Sequence, residues 1–167
     1  MESEMEIGII GVVGLGTMGS GIAEVIARSG YSVIGVDLGE KGIGYADSRI
    51  RGSIARGVSR SKITEADGLA ILSRIQLTTN LEDLASCDLV IEAITEDLTT
   101  KSELFMTLDS ILGPDAIMAT NTSALSVTKI SVVTSRPSRV IGMHFFNPAT
   151  VQKFVEIVST VTTDQEV

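Results

Sequence analysis

The chain has 167 residues, of which 44% are hydrophobic, 20% charged and only 4% aromatic, a composition of globular chains that bury about 70% of their unfolded surface in one core. Sixteen glycines against three prolines, and no apolar run of membrane-spanning length, argue against a collagen-like repeat, a disordered tract and a transmembrane protein. Thirteen Lys and Arg against 21 Asp and Glu leave a net charge of −8, which repels polyphosphate backbones and argues against nucleic acid or an anionic membrane as partner.

The single cysteine, Cys87, leaves no internal disulfide, and no Cys or His cluster offers a metal site. Residues 1–6 are too acidic to open a secretory signal, so a reducing, cytoplasmic location is expected. One domain is expected over residues 1–167.

Residues 7–13 form a continuous β-branched apolar run, the pattern of a strand buried on both faces of a parallel sheet. A helix is predicted over 17–28, where Met18, Ile22, Val25 and Ile26 recur at helical spacing and Gly30 stands where a left-handed C-terminal cap would sit. A second short strand over 31–36 ends at Asp37, which completes a βαβ unit. Helices are predicted over 41–60 and 64–74, the latter with Thr64 as N-cap. A weak strand over 75–78 precedes a short helical turn capped by Asn80, then a clear buried strand over 88–94. The helix over 98–112 gathers Leu104, Phe105, Leu108, Ile111 and Leu112 on one face and stops at Gly113-Pro114. A strand over 116–120, a helix over 126–133, a strand over 140–145 and a β-rich run over 154–159 complete the chain. The alternation of strand and helix specifies an α/β fold of Rossmann type, a doubly wound, mostly parallel sheet in three α/β/α layers. Its ligands bind outside the carboxyl ends of the strands.

Gly14-Leu15-Gly16-Thr17-Met18-Gly19 is a G-x-G-x-x-G between a buried strand and an amphipathic helix, the context that gives this otherwise weak motif its meaning. Gly14 permits the tight turn, Gly16 lets the main chain approach a pyrophosphate and Gly19 lets helix and strand pack closely. Asp37 stands where an acid accepts hydrogen bonds from the adenosine ribose and repels the extra phosphate of NADP, so NAD is the expected cofactor.

The second half places Asn121-Thr122-Ser123 after one strand and His144-Phe145-Phe146-Asn147-Pro148 at the end of another, with Glu156 beyond. A neutral imidazole suits the removal of a hydroxyl proton, a carboxylate such as Glu156 suits the orientation of that ring, and Ser123 suits donation to a carbonyl oxygen. Composition and spacing leave a second reading open, in which His144 is a hydrogen-bonded core residue and Asn121 and Ser123 cap the next helix.

At these residues the sequence resembles the NAD-binding domain of the 3-hydroxyacyl-CoA dehydrogenase family. The glycine motif alone also suits 3-hydroxyisobutyrate dehydrogenases. Asp88-Leu89-Val90-Ile91-Glu92-Ala93-Ile94-Thr95-Glu96-Asp97, Asn121-Thr122-Ser123 and His144-Phe145-Phe146-Asn147-Pro148 together are more specific to the hydroxyacyl-CoA enzymes. The resemblance implies reversible oxidation of a 3-hydroxyacyl-CoA to a 3-ketoacyl-CoA, a reaction of fatty-acid β-oxidation. It implies His144 as general base, Glu156 as its orienting carboxylate and Ser123 as partner of the substrate oxygen. It further implies that Glu96, Lys101, Asn121 and Asn147 line the cofactor cleft, and that Ser53 and Arg60 lie near the CoA moiety. Ala124 departs from the second serine usual in the family. The resemblance also implies a helical C-terminal domain, beginning where this sequence stops, that closes the pocket and forms a homodimer. The alternatives are a nucleotide-binding module without turnover and a β-hydroxyacid dehydrogenase that needs no CoA.

Overall fold

A computed structural model describes residues 7–167. Residues 1–6, on which the expectation of no secretory signal falls, lie outside the described residues.

Seven strands form one sheet in the order β3-β2-β1-β4-β5-β6-β7. They are β1 (Ile9–Val13), β2 (Ser32–Val36), β3 (Ile75–Thr78), β4 (Leu89–Glu92), β5 (Ile117–Thr120), β6 (Val140–Phe145) and β7 (Val155–Val158). The first six run parallel, whereas β7 is antiparallel to β6. The helices are α1 (Thr17–Arg28), α2 (Gly39–Ser59), α3 (Glu65–Ser73), α4 (Leu98–Ile111) and α5 (Val127–Ser131).

Neighbouring strand residues point to opposite faces of the sheet, so Val12 and Val13 of β1 feed two separate cores. Val12 joins Ile22 and Ile26 of α1 and Ile50 and Ile54 of α2 on one face. Val13 joins Phe105 and Leu108 of α4 and Ile130 of α5 on the other. The sheet is thus the middle layer of three, as the alternation of elements predicts. Cys87 is buried in the second core, where desolvation, helped by the nearby Asp88, pushes its thiol up to about 12.

Most boundaries fall within two residues of the sequence reading. Thr64 caps α3 in a reciprocal capping box with Asp67, and Gly30 follows α1 at φ +100°. Helix α2 begins at Gly39 rather than 41; two of its first four residues are glycines, which carry no apolar signal. Strand β4 is limited to Leu89–Glu92, shorter than the apolar run. Asn80 caps the short 3₁₀ turn Leu81–Ser86 by accepting from Glu82 N.

The chain passes from β1 through α1 to β2 on one side, and from β4 through α4 to β5 on the other. The carboxyl ends of β1 and β4 therefore flank the crevice where a doubly wound sheet receives its ligand.

Candidate active site and cofactor cleft

The glycine loop leaves β1 at Gly14, whose φ of +87° and close approach to the β4 end require glycine: a Cβ there would stand 2.8 Å from Ala93 O. A Cβ on Gly19 would overlap the Gly14 carbonyl oxygen, so this glycine sets how tightly α1 follows the turn. Gly16 differs from both, because a Cβ there would meet nothing within 4 Å. It faces open space at the N-terminus of α1, as its N-cap and with no side-chain capping bond, so the amides of the first turn remain available to an anion. Leu15, 1% exposed, anchors the loop in the core, and Met18 packs against the same cluster.

The loop and the end of β2 are joined directly: Leu15 N donates to Asp37 Oδ2 at 2.6 Å. Gly14, Gly16, Asp37, Leu38, Ile94 and Thr95 are among the walls of a cleft of about 790 Å³. An unhindered glycine, free helix-terminal amides and a carboxylate at the end of β2 together fit a dinucleotide.

At the other edge of the sheet, the antiparallel pairing of β6 and β7 sets His144 directly opposite Glu156. The imidazole Nδ1 lies 3.3 Å from Glu156 Oε2, with the two side chains 22% and 54% exposed. The Phe146 ring stands 4.5 Å from the imidazole, and Phe154 follows at 5.3 Å. His144 is therefore partly open to solvent and paired with a carboxylate, which removes the reading of a closed core histidine. Asn121 does not cap a helix. Its Oδ1 accepts from Phe145 N at 2.8 Å, tying the end of β5 to the end of β6 beside the imidazole. Ser123 is exposed and has no side-chain hydrogen bond among the described residues; Ser126 caps α5 instead.

Between cleft and imidazole lies a buried charge cluster. Lys101 is 1% exposed, with Nζ at 2.5 Å from Glu92 Oε1 and 3.3 Å from Glu96 Oε2. Glu92, fully buried, also accepts from Ile94 N and Thr120 Oγ1, both at 2.7 Å. Glu96 accepts from Thr122 Oγ1 and Ala124 N. Burial pushes the Glu96 carboxyl up, but the Thr122 hydroxyl and the Lys101 ammonium outweigh it and hold the group below its ordinary value. Lys101 thus sits behind the cleft wall, not on it.

A second cavity, of about 470 Å³, opens between α1, α2 and the loop after β6. Thr17, Arg49, Ser53, Arg56 and Asn147 line it. Asn147 belongs to this cavity and not to the larger cleft. Ser53 Oγ donates to Glu24 Oε1 at 2.9 Å. Arg60 stands one residue past the end of α2, as its C-cap, outside the lining. Arg49 and Arg56 belong to no sequence motif, but with Ser53 they recur at i, i+4 and i+7, which puts all three on one helix face. No cluster of metal-ligating side chains occurs among the described residues, and no described helix is long and apolar enough to cross a membrane.

Residues 9–167 match the family model of the 3-hydroxyacyl-CoA dehydrogenase NAD-binding domain. The chain is 46% identical over 157 residues to a 3-hydroxybutyryl-CoA dehydrogenase of Mycobacterium tuberculosis, covering 93% of this chain and 55% of that protein. It is 43% identical over 162 residues to a probable 3-hydroxybutyryl-CoA dehydrogenase of Bacillus subtilis, covering 97% and 56% respectively. The crystal structure of (S)-3-hydroxybutyryl-CoA dehydrogenase from Ralstonia eutropha superposes with a TM-score of 0.94 at 41% identity, over 96% of this chain and 56% of that one. The chain spans about half the length of the curated relatives it matches.

Proposed function

The chain belongs to the 3-hydroxyacyl-CoA dehydrogenase family, as its NAD-binding domain, and on that premise we propose that it carries the cofactor cradle and proton-handling pair for reversible oxidation of 3-hydroxyacyl-CoA to 3-ketoacyl-CoA. The observation that carries this reading is the 3.3 Å approach of His144 Nδ1 to Glu156 Oε2. With Nδ1 held by the carboxylate, Nε2 is the nitrogen left to take a proton from the substrate 3-hydroxyl. Glu156 fixes the ring's orientation and offsets the positive charge it gains. Ser123, exposed and without another partner among the described residues, donates to the substrate oxygen.

When bound, NAD supplies the hydride acceptor. The chain's own part is to hold it, with the amides of the first turn of α1 on the pyrophosphate, Gly16 leaving room for them, and Asp37 on the adenosine ribose. Glu96, backed by Lys101, holds the 122–124 segment beside the cleft, and Asn121 and Asn147 lie at the far ends of β5 and β6. The CoA moiety, with its phosphates, suits the smaller cavity, where Arg49 and Arg56 flank Ser53. Arg60 adds positive charge beyond the end of the same helix.

The exposed side chain of Phe154, 61% exposed and packed against the Phe146 ring beside the imidazole, suits cover by a further helical domain that encloses the acyl group and carries the homodimer surface. Cys87, a buried free thiol, suits a reducing compartment such as the cytoplasm. Acetoacetyl-CoA and free acetoacetate, compared as oxidants of NADH in protein that includes the helical domain, test the reading. Oxidation of NADH by the thioester but not by the free acid is expected; equal rates would contradict the role of CoA.

A further inference from the structure

Asp37 stands one residue before Leu38, the N-cap of α2, and Gly42 is the fourth residue of that helix. Residues in these two positions face each other across the first helical turn, the contact that an apolar pair makes in a hydrophobic staple. Here the pair is a carboxylate over a glycine. A Cβ on Gly42 would overlap Asp37 Oδ1 and stand 2.8 Å from its Cγ, so the acid occupies the room any larger residue at 42 would take. On its other side, Asp37 Oδ2 accepts from Leu15 N at 2.6 Å.

Nothing in the backbone asks for glycine at this position. Among the described residues the glycines at positive φ are Gly14, Gly30 and Gly39, and glycine is a poor residue for a helix interior. What position 42 does require is space for the carboxylate.

We infer that Gly42 is a specificity-determining position of the cofactor cleft. By leaving the space over the first turn of α2 free, it keeps Asp37 in the rotamer clamped by Leu15 N, its negative charge on the cleft wall where a ribose 2′-phosphate would have to come. A side chain at 42 drives the carboxylate off this position, breaks the bond to Leu15 and weakens discrimination against NADP. The inference rests on Asp37 being the residue that reads the ribose.

The experiment is fluorescence titration of NADH and NADPH against the native chain, Gly42→Ala, Asp37→Ala and the double variant, with melting curves and the Leu15 amide resonance recorded for each. Gly42→Ala is expected to lower the NADH-over-NADPH preference by about tenfold or more and to shift the Leu15 amide. In the Asp37→Ala background the same substitution is expected to change the preference by less than about twofold, because its target is gone. If Gly42→Ala unfolds the chain, the double variant must recover stability, since the overlapping carboxylate has been removed; failure to recover overturns the proposal. A native preference in Gly42→Ala, while Asp37→Ala loses it, overturns the role of Gly42 alone. An unchanged preference in Asp37→Ala overturns both that role and the reading of Asp37.

Discussion

His144 and Glu156 face each other across the antiparallel pairing of β6 and β7, with Nδ1 and Oε2 at 3.3 Å. The pair is held by strand register, so replacing the carboxylate changes the chemistry without moving the ring's backbone. Glu156→Gln is expected to lower turnover of acetoacetyl-CoA by about 10²- to 10⁴-fold while leaving the Kd for NADH within about twofold. Equal losses in both quantities would mean that Glu156 shapes the fold and not the proton transfer.

The glycines of the loop make a sharper contrast. A methyl on Gly16 meets nothing in the folded chain, whereas one on Gly19 overlaps the Gly14 carbonyl. Gly16→Ala is therefore expected to keep its melting temperature and to weaken NADH binding by about tenfold or more, since the methyl enters the pyrophosphate's approach. Gly19→Ala is expected to lose stability by about 1–3 kcal/mol through overpacking. Calorimetry with and without NADH separates the two.

Lys101 and Glu92 are both buried and bonded to each other. Lys101→Met leaves Glu92 without its cation and is expected to cost about 3–5 kcal/mol in urea unfolding. Glu92→Gln/Lys101→Met removes the stranded charge and keeps an acceptor for Ile94 N, so part of that loss is expected to return. A double variant no more stable than the single one would show that the pair's charge is not what matters.

Asp109 accepts from Ser135 N at 2.7 Å and from Arg136 Nε at 2.8 Å. Burial raises its carboxyl, but the Ser135 and Arg136 hydrogen bonds outweigh it and hold the group below its ordinary value. A carboxyl that ionises more readily folded than unfolded contributes stability above its unfolded value, near pH 4, and that contribution fades as pH falls through the folded value. Asp109→Asn is expected to lower stability at neutral pH and to flatten the fall in melting temperature between about pH 5 and 2. An acid limb as steep as that of the native chain would contradict this.

The cofactor half was legible because its signals are local. A continuous β-branched run, three glycines at fixed offsets and an acid ending the next strand all lie within 37 residues, each tied to backbone geometry. The proximity of His144 and Glu156 was not legible from spacing, because it depends on β7 turning back antiparallel, and the run over 154–159 carries no sign of its direction. Lys101 shows a different limit: a lysine with two carboxylate partners is buried, but in sequence it is indistinguishable from one at a cleft surface. The basic side chains of the smaller cavity were hidden for a third reason. Arg49 and Arg56 border the apolar stripe of Ile50 and Ile54, and a search for apolar periodicity passes over charges beside the stripe.

The most direct measurement is the rate of acetoacetyl-CoA-dependent NADH oxidation by native protein and by His144→Gln, with NADH affinity measured in parallel. The role of His144 as proton acceptor predicts a fall in rate of about 10²- to 10⁴-fold with the cofactor still bound. A His144→Gln variant that turns over at nearly the native rate would contradict it.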